Sequence, residues 1–435
     1  MNLMVKKTIK LNGQVRSPGS KSQSIRAIFL AAMCEGESIL KNILHSEDTQ
    51  DAINVCKQLG VRITEQNHIL TIESDGLPLD VLNSEIFSGN SGITTHFVMP
   101  ILGLRKNIDK KIILNCGEQM RARPIKSLVD ALTNLGLDIA YVDHSNTLPV
   151  SITGELKGGK TWVDGITSQY LSALLLALPC ARNDSEIKVA DLRERPYVDM
   201  TLNWLLEQGI QFSHQSCGNI DIYEIKGNQK YKCIHSSIAG DFSSASYLIA
   251  AAALIPGEVV VAGLDMTDPQ GDKRLVSILQ KMGADIVIEP TRLIIRGGKA
   301  LSGIKIDAND IPDLLPTLAV IGTVASGKTE ICNVQQARIK ETDRIHSMAE
   351  GLIRLGAVVE ESDDGLTVYE SKLQGCFVKG YNDHRTVMAF SIAGMLAQGT
   401  TTIDDSEAIN KTFPDYIHAM QTLGAIMEVK HADHQ

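Results

Sequence analysis

Apolar residues recur with the period of an amphipathic helix between Asn333 and Gly356, in the stretch NVQQARIKETDRIHSMAEGLIRLG. The positions i, i+3, i+4 and i+7 of the predicted face are Ile345, Met348, Ala349 and Leu352. Five ionisable side chains crowd into seven residues at the start of this helix: Arg338, Lys340, Glu341, Asp343 and Arg344. Free N–H groups and the helix dipole attract anions there, so the stretch indicates either an anion site or a solvated helix start with local ion pairs.

The same pattern recurs along the chain: a helix ends in apolar-x-x-apolar-Gly, or close to it, and a β-rich pair follows. The terminal glycines lie 68 to 76 residues apart, at Gly60, Gly136, Gly209, Gly283, Gly356 and Gly424. Self-similarity at a nearly fixed period indicates one repeated supersecondary unit. Two helical segments precede each glycine, and the first can be very apolar, as in SYLIAAAALI at 246–255. The unit is therefore predicted as βαβαββ, with one buried and one amphipathic helix.

Six such units exceed one ordinary hydrophobic core, so we divide them three and three. The sixth unit ends abruptly, while extra strands precede the first complete unit. We therefore predict that the N-terminal strands complete the C-terminal domain. The predicted fold is α/β (α+β), with two similar domains of three repeats each, at 19–238 and at 1–18 joined to 239–435.

Composition narrows the function classes. The net charge is −9 over 435 residues, which argues against a general nucleic-acid or acidic-membrane binder. The start has no apolar signal-peptide core, and no run of 18 apolar residues predicts a membrane span. Eight scattered cysteines form no CxxC pair, so we expect no zinc site and no disulfide framework. These features predict a cytoplasmic protein without metal.

Predicted helix starts carry an unusual set of cations, hydroxyls and glycines. In a repeat fold, equivalent helix N-termini point the same way, so two domains that face each other would direct these groups into one interdomain cleft. Such a cleft suits small, multiply anionic ligands. The residues concerned include Lys21, Ser22, Arg26, Gly92, Arg123, Thr167, Ser168, Gln169, Asp313, Arg385 and Lys411.

The segment at 322–329, GTVASGKT, matches the phosphate-binding pattern GxxxxGK[ST] in full. That pattern requires a strand before the loop and a helix after it. Here the preceding IPDLLPTLAVI reads as a helix and the following TEICNV reads as a strand. We therefore interpret the match as a helix-to-strand turn and not as a nucleotide site.

Ten motifs, in chain order, resemble those of the 5-enolpyruvylshikimate-3-phosphate synthase family. They span residues 19 to 416 and are GSKSQSIR, GNSG, the RP of RARPI, TSQY, GDFSSASY, QGD, IPD, RIKETDR, YNDHR and KTFPDY. The resemblance implies the two-domain fold predicted above, closing on its substrates. It also implies transfer of the carboxyvinyl group of phosphoenolpyruvate to the 5-hydroxyl of shikimate 3-phosphate, in the shikimate pathway to chorismate and the aromatic amino acids. No metal or organic cofactor is implied.

The resemblance also implies residue roles. Lys21, Asp313 and Glu341 would form the acid–base group. The residues that would hold phosphoenolpyruvate are Lys21, Gly92, Arg123, Gln169, Arg344, Arg385 and Lys411. Those that would hold shikimate 3-phosphate are Lys21, Ser22, Arg26, Thr167, Ser168, Gln169, Tyr197, Asp313, Gln336 and Lys340.

The sequence departs from the family pattern in several places. Ile93, His96 and Phe97 replace the Thr, Arg and Pro that usually follow the GNSG segment. Gln336 replaces an Asn that usually contacts the shikimate, and Glu194 replaces a Ser that often contacts its phosphate.

Other functions stay open at this point. The sister enolpyruvyl transferase family that acts on UDP-N-acetylglucosamine shares the fold and usually carries a reactive Cys in the region of Cys116. RIKETDR and TSQY favour shikimate 3-phosphate over that acceptor. An ATP-using P-loop enzyme is disfavoured by the element order. A non-catalytic binding protein is a further alternative, disfavoured by the joint presence of acid–base and anion-binding groups. We expect a monomer.

Overall fold

The computed structural model describes residues 1–143 and 146–430. Within it the chain forms two compact units. The continuous unit is Lys21–Ile238. The discontinuous unit joins Met1–Ser20 to the chain from Ala239 onward.

One unit of structure occurs six times: a strand, a helix, a second strand, a second helix and a β-hairpin. Each copy forms a four-stranded sheet in which the second strand lies between the first and the fourth, and the third strand is at the other edge. The first two strands are parallel, while the fourth pairs antiparallel with the second and third. The predicted βαβαββ repeat is therefore confirmed.

The chain begins with strands β1 (Asn2–Lys6) and β2 (Gly13–Arg16) and then enters the continuous unit. The elements of that unit are α1 (Lys21–Met33), β3 (Glu35–Lys41), α2 (Glu47–Gln58), β4 (Arg62–Gln66), β5 (Ile69–Asp75), β6 (Glu85–Phe87), α3 (Gly92–Ile101), β7 (Ile112–Asn115), α4 (Glu118–Arg121), α5 (Lys126–Asn134), β8 (Leu137–Tyr141), β9 (Val150–Gly154), β10 (Gly159–Asp164), α6 (Ser168–Ala177), β11 (Ser185–Ala190), α7 (Arg195–Glu207), β12 (Phe212–Cys217), β13 (Ile220–Ile225) and β14 (His235–Ser237). Their sheets have the orders β14-β3-β5-β4, β6-β7-β9-β8 and β10-β11-β13-β12.

The discontinuous unit repeats this arrangement. Its remaining elements are α8 (Phe242–Leu254), β15 (Gly257–Ala262), α9 (Arg274–Met282), β16 (Asp285–Glu289), β17 (Arg292–Gly297), β18 (Lys305–Asp307), α10 (Leu315–Gly322), β19 (Lys328–Cys332), α11 (Arg344–Arg354), β20 (Val358–Ser362), β21 (Gly365–Tyr369), β22 (Phe377–Val378), α12 (His384–Leu396), β23 (Thr400–Ile403), α13 (Tyr416–Thr422) and β24 (Ile426–Lys430). Their sheets have the orders β2-β15-β17-β16, β18-β19-β21-β20 and β22-β23-β1-β24.

The two N-terminal strands close sheets made by distant parts of the chain. β1 lies between β23 and β24 and pairs antiparallel with both, while β2 pairs parallel with β15. The sixth repeat therefore obtains its fourth strand, and the fourth repeat its first, from residues that precede the continuous unit. This is the pairing expected for the N-terminal strands.

The two helices of a repeat differ in how far they are buried. Every residue of α8 except Leu254 is buried, because the helix lies in the core of its unit. α11 buries one face, through residues that include Ile345, Met348 and Leu352. The glycine after the second helix has a positive φ in all six repeats, from +73° at Gly209 to +112° at Gly283. This left-handed turn lets the chain reverse directly into the hairpin.

The GTVASGKT segment runs from Gly322, the last residue of α10, into β19, which starts at Lys328. The order is helix then strand, as predicted, so no helix N-terminus follows the loop to hold a phosphate.

Leu3 tests the contribution of the N-terminal strand to stability. Its side chain is fully buried on β1, so Leu3→Ala removes packed methyl groups from the middle of a sheet. We expect the free energy of unfolding, measured by urea titration, to fall by about 2–5 kcal/mol.

Ile9→Ala is the matched control, because Ile9 is 82% exposed in the same N-terminal segment. Its effect is expected to stay within about 0.5 kcal/mol. Equal effects of the two substitutions would contradict the placement of β1.

Candidate active site

The centre of the candidate site in the discontinuous unit is the guanidinium of Arg344, which is 1% exposed. It donates to three carboxylates: Nε to Asp383 Oδ2 at 2.7 Å, Nη1 to Asp313 Oδ1 at 2.8 Å and Nη2 to Glu341 Oε2 at 2.6 Å. Burial alone would lower the pKa of Arg344, but the charges of Asp383, Glu341 and Asp313 raise it above its ordinary value. The guanidinium is therefore a fixed positive charge that orients three acids.

Asp313 is held from both sides. Its Oδ1 accepts from Arg344, and its Oδ2 accepts from Nη2 of Arg385 at 2.6 Å. Asp383 is the N-cap of α12 and accepts from the backbone N–H of Arg385 at 2.8 Å. The predicted residues Asp313, Glu341, Arg344 and Arg385 thus lie in one cluster, and Asp383 is a member that the sequence analysis did not single out.

Asp272 is a second residue that the sequence analysis missed. It is buried, and its Oδ2 accepts from the Ser243 hydroxyl at 2.5 Å, while Oδ1 has no hydrogen-bond partner among the described residues. Burial raises the pKa of Asp272 to about 7; the charge of Asp313 adds to the rise, and that of Arg385 opposes it. Only its place within the QGD motif could have indicated it.

The other predicted residues of this unit lie around the cluster. Gln336 is buried and donates to the backbone oxygen of Asn309 at 2.8 Å, and Lys340 is half-buried. Lys411 is 7% exposed. It does not precede a helix directly, as the KTFPD motif suggested, because it ends a short 3-10 segment and α13 starts only at Tyr416. The following Phe-Pro pair keeps the chain out of the α region before α13.

In the continuous unit, Lys21 is the first residue of α1. Its Nζ lies 3.1 Å from Asp48 Oδ2, and both side chains are largely buried. The carboxylate comes from the first turn of α2 and holds the ammonium at the start of α1.

Gly92, Arg123 and Gln169 come together at the start of α3. A Cβ on Gly92 would lie 2.6 Å from Arg123 Nη1 and 3.2 Å from Gln169 Oε1, so glycine leaves room for these two side chains in their present positions. Gln169 Oε1 also lies 2.7 Å from His96 Nδ1. Arg123 is predicted at a helix start, but α5 begins only at Lys126, so Arg123 and Pro124 lie before its first turn.

A buried carboxylate covers the start of α6. Glu194 Oε2 accepts from the backbone N–H of Ser168 at 3.2 Å, the Ser168 hydroxyl at 2.8 Å and the Thr167 hydroxyl at 3.4 Å. Thr167 is also the N-cap of this helix. Two residues expected to bind shikimate 3-phosphate therefore contact an acid of the protein itself.

Arg26 is 2% exposed and contacts two other predicted residues. Its Nη1 donates to the backbone oxygen of Ser22 at 2.9 Å and its Nη2 to that of Tyr197 at 2.7 Å. Nε donates to the Thr201 hydroxyl at 2.8 Å. The guanidinium therefore also ties α1 to α7.

Three exposed residues of the continuous unit, His45, Glu65 and His68, have potential metal-ligand atoms within 4.8 Å of one another. None of them is among the predicted site residues. His346 is exposed, and its Nδ1 lies 3.2 Å from Glu361 Oε2. Burial raises the pKa of the Cys116 thiol to about 11, so this Cys lacks the thiolate character of a reactive one.

Residues 5–420 match a family model described as EPSP synthase (3-phosphoshikimate 1-carboxyvinyltransferase). The chain belongs to the EPSP synthase family. The 3-phosphoshikimate 1-carboxyvinyltransferase of Acetivibrio thermocellus is 44% identical over 429 residues, covering 98% of this chain and 99% of that protein. That of Methanocaldococcus jannaschii is 39% identical, covering 98% and 99%.

Solved structures agree with this assignment. The EPSP synthase of Acinetobacter baumannii aligns with a TM-score of 0.84 and 25% identity, covering 99% of this chain and all of that one. The predicted fold class and the resemblance to the EPSP synthase family are confirmed. Within the described residues, no helix is long and apolar enough to cross a membrane.

Asp272 is expected to make the free energy of unfolding of this EPSP synthase family member depend on pH. A carboxyl group whose pKa rises on folding keeps its proton in the folded protein while the unfolded chain releases it, from about pH 4 up to about pH 7. Folded molecules then bind more protons than unfolded ones, so this contribution to stability is lost as the pH rises through that window. Asp272→Asn cannot titrate and is expected to gain stability relative to the wild type across it.

Urea titrations of the wild type and of Asp272→Asn between about pH 4 and about pH 7 measure the difference in their free energies of unfolding. The control is Asp415→Asn, at an exposed residue that makes no capping hydrogen bond to α13. A difference between Asp272→Asn and wild type that does not change with pH would contradict the buried, protonated carboxyl.

Proposed function

We propose that this protein transfers the carboxyvinyl group of phosphoenolpyruvate to the 5-hydroxyl of shikimate 3-phosphate and releases phosphate. Membership of the EPSP synthase family, with curated relatives that match over their full length, supports this reaction. The chain is accordingly a transferase of the shikimate pathway to chorismate and the aromatic amino acids.

The reaction is an addition followed by an elimination. A proton reaches the methylene carbon of phosphoenolpyruvate, the 5-hydroxyl oxygen bonds to the adjacent carbon, and the hydroxyl proton leaves. The resulting tetrahedral ketal then loses a proton from its methyl group and expels phosphate. Each step needs a positioned acid or base.

We assign the acid–base roles to Asp313, Lys21 and Glu341. Asp313 would take the hydroxyl proton, because two guanidinium groups orient its carboxylate. Lys21 and Glu341 would share proton delivery to, and removal from, the methyl carbon. An oppositely charged group positions each of them: Asp48 lies beside Lys21, and Arg344 donates to Glu341.

Two sets of groups would hold the substrates. Arginines suit the carboxylate and phosphate of phosphoenolpyruvate because they can donate two parallel hydrogen bonds. The phosphoenolpyruvate set is Lys21, Gly92, Arg123, Gln169, Arg344, Arg385 and Lys411. The shikimate 3-phosphate set is Lys21, Ser22, Arg26, Thr167, Ser168, Gln169, Tyr197, Asp313, Gln336 and Lys340.

The observation that carries the assignment is the cluster around Arg344. Three carboxylates around one buried guanidinium contribute little net stability to a core, because the charges lose their hydration on burial. The cluster instead provides oriented acids beside cations, which a reaction on anionic substrates requires. The buried, protonated Cys116 argues against the sister activity on UDP-N-acetylglucosamine. A monomeric state and a cytoplasmic location stay predictions.

Release of phosphate from phosphoenolpyruvate tests the proposal. The wild type is expected to release phosphate with shikimate 3-phosphate and not with UDP-N-acetylglucosamine. Removing a positioned acid or base commonly costs about 10²–10⁴-fold, so Lys21→Met and Asp313→Asn are expected to lose at least about 100-fold in kcat.

Lys57→Met and Asp363→Asn are the controls, because both side chains are exposed and lie in the same units as their counterparts. They are expected to keep the wild-type rate within about twofold. Phosphate release that depends on UDP-N-acetylglucosamine, or that survives both active-site substitutions, would contradict the proposal.

A further inference from the structure

The start of α6 presents groups that can hold an anion. The backbone N–H of Ser168 and the hydroxyls of Thr167 and Ser168 point to one place at the N-terminus of a ten-residue helix. One carboxylate oxygen of Glu194 accepts from all three groups, and Glu194 is 1% exposed. The anion held there is therefore supplied by the protein.

The backbone fixes Glu194 in this position. It adopts a left-handed conformation, with φ 55° and ψ 35°, directly before α7. The next residue, Arg195, turns its guanidinium to Asp221, with Nη2–Oδ2 at 2.6 Å and Nη1–Oδ1 at 3.3 Å. Burial would raise the pKa of Asp221, but its hydrogen bonds from Arg195, Ser216 and His214 lower it to about 2, so this pair stays charged. Arg195 is thereby paired with Asp221.

We infer that Glu194 is a specificity-determining residue, whose carboxylate occupies the groups of Thr167 and Ser168 that the phosphate of the acceptor substrate requires. This inference rests on the proposed function, which places shikimate 3-phosphate at these two residues.

A carboxylate and a phosphate cannot both accept from the same N–H and hydroxyl groups. The acceptor must displace Glu194 or bind beside a like charge, and either event weakens its binding. The cost falls on acceptor binding, because the Glu194 carboxylate accepts from the two residues proposed to hold the acceptor, Thr167 and Ser168. We therefore expect Glu194 to raise the KM for shikimate 3-phosphate. We expect no effect on kcat or on the KM for phosphoenolpyruvate.

Glu194→Gln tests this inference, because the amide keeps an acceptor for the Ser168 N–H and removes the charge. We expect its KM for shikimate 3-phosphate to fall at least about tenfold, with kcat and the KM for phosphoenolpyruvate within about twofold. Glu194→Ser is expected to act in the same direction and serves if the Gln variant folds poorly. Glu207→Gln is the control, because this glutamate is exposed at the other end of α7.

Inhibition by inorganic phosphate provides a second readout. Phosphate competing with the acceptor is expected to inhibit Glu194→Gln at lower concentration than the wild type.

A KM for shikimate 3-phosphate that is unchanged or higher in both variants would overturn the inference. If the wild type shows no turnover with shikimate 3-phosphate, the proposed function fails. In that case the inference is tested by calorimetric titration of inorganic phosphate into the wild type and into Glu194→Gln. Phosphate binding by Glu194→Gln that is equal to or weaker than that of the wild type would overturn the inference.

Discussion

The buried guanidinium of Arg344 is the constraint on which the discontinuous unit is organised. A cation that is 1% exposed is tolerated only where carboxylates replace its lost hydration. Those carboxylates come from the starts of different elements: Asp313 lies before α10, Glu341 before α11 and Asp383 before α12. Because all three carboxylates accept from the Arg344 guanidinium, the helix N-termini of two repeats are held against each other. Asp272 and Ser243 add the third repeat at the same end of the unit.

Polar side chains also hold helix starts together in the continuous unit, where hydroxyls and amides take the place of the central arginine. The starts of α3 and α6 meet through Gly92, His96 and Gln169, where glycine leaves room for Arg123. The start of α1 is held through Lys21 and Asp48. A repeated βαβαββ unit thus places several helix N-termini at one end of each compact unit. Such ends are suited to anionic substrates, because free N–H groups and the helix dipole attract anions there.

The repeats could be predicted from the sequence because local rules fix them. Helical periodicity, the left-handed glycine and the hairpin depend on residues close in the chain, and the incomplete sixth repeat required the N-terminal strands. The contacts of individual side chains could not be predicted. The Glu194 carboxylate reaches α6 through a left-handed residue 26 positions away from Ser168. The burial of Asp272 and the protein partners of Arg26 likewise depend on packing between helices distant in sequence.

The most direct test of the account is kcat of an Asp383→Asn variant with phosphoenolpyruvate and shikimate 3-phosphate. Asp383 has no proposed contact with substrate, but it holds Arg344 through two hydrogen bonds, at 2.7 and 3.3 Å. If Arg344 positions Asp313 and Glu341, loosening it is expected to misplace both acids and lower kcat by about 100-fold in a folded protein. Asp415→Asn, at the exposed start of α13, is expected to leave kcat unchanged. A folded Asp383→Asn variant with wild-type kcat would contradict the central role given to the Arg344 cluster.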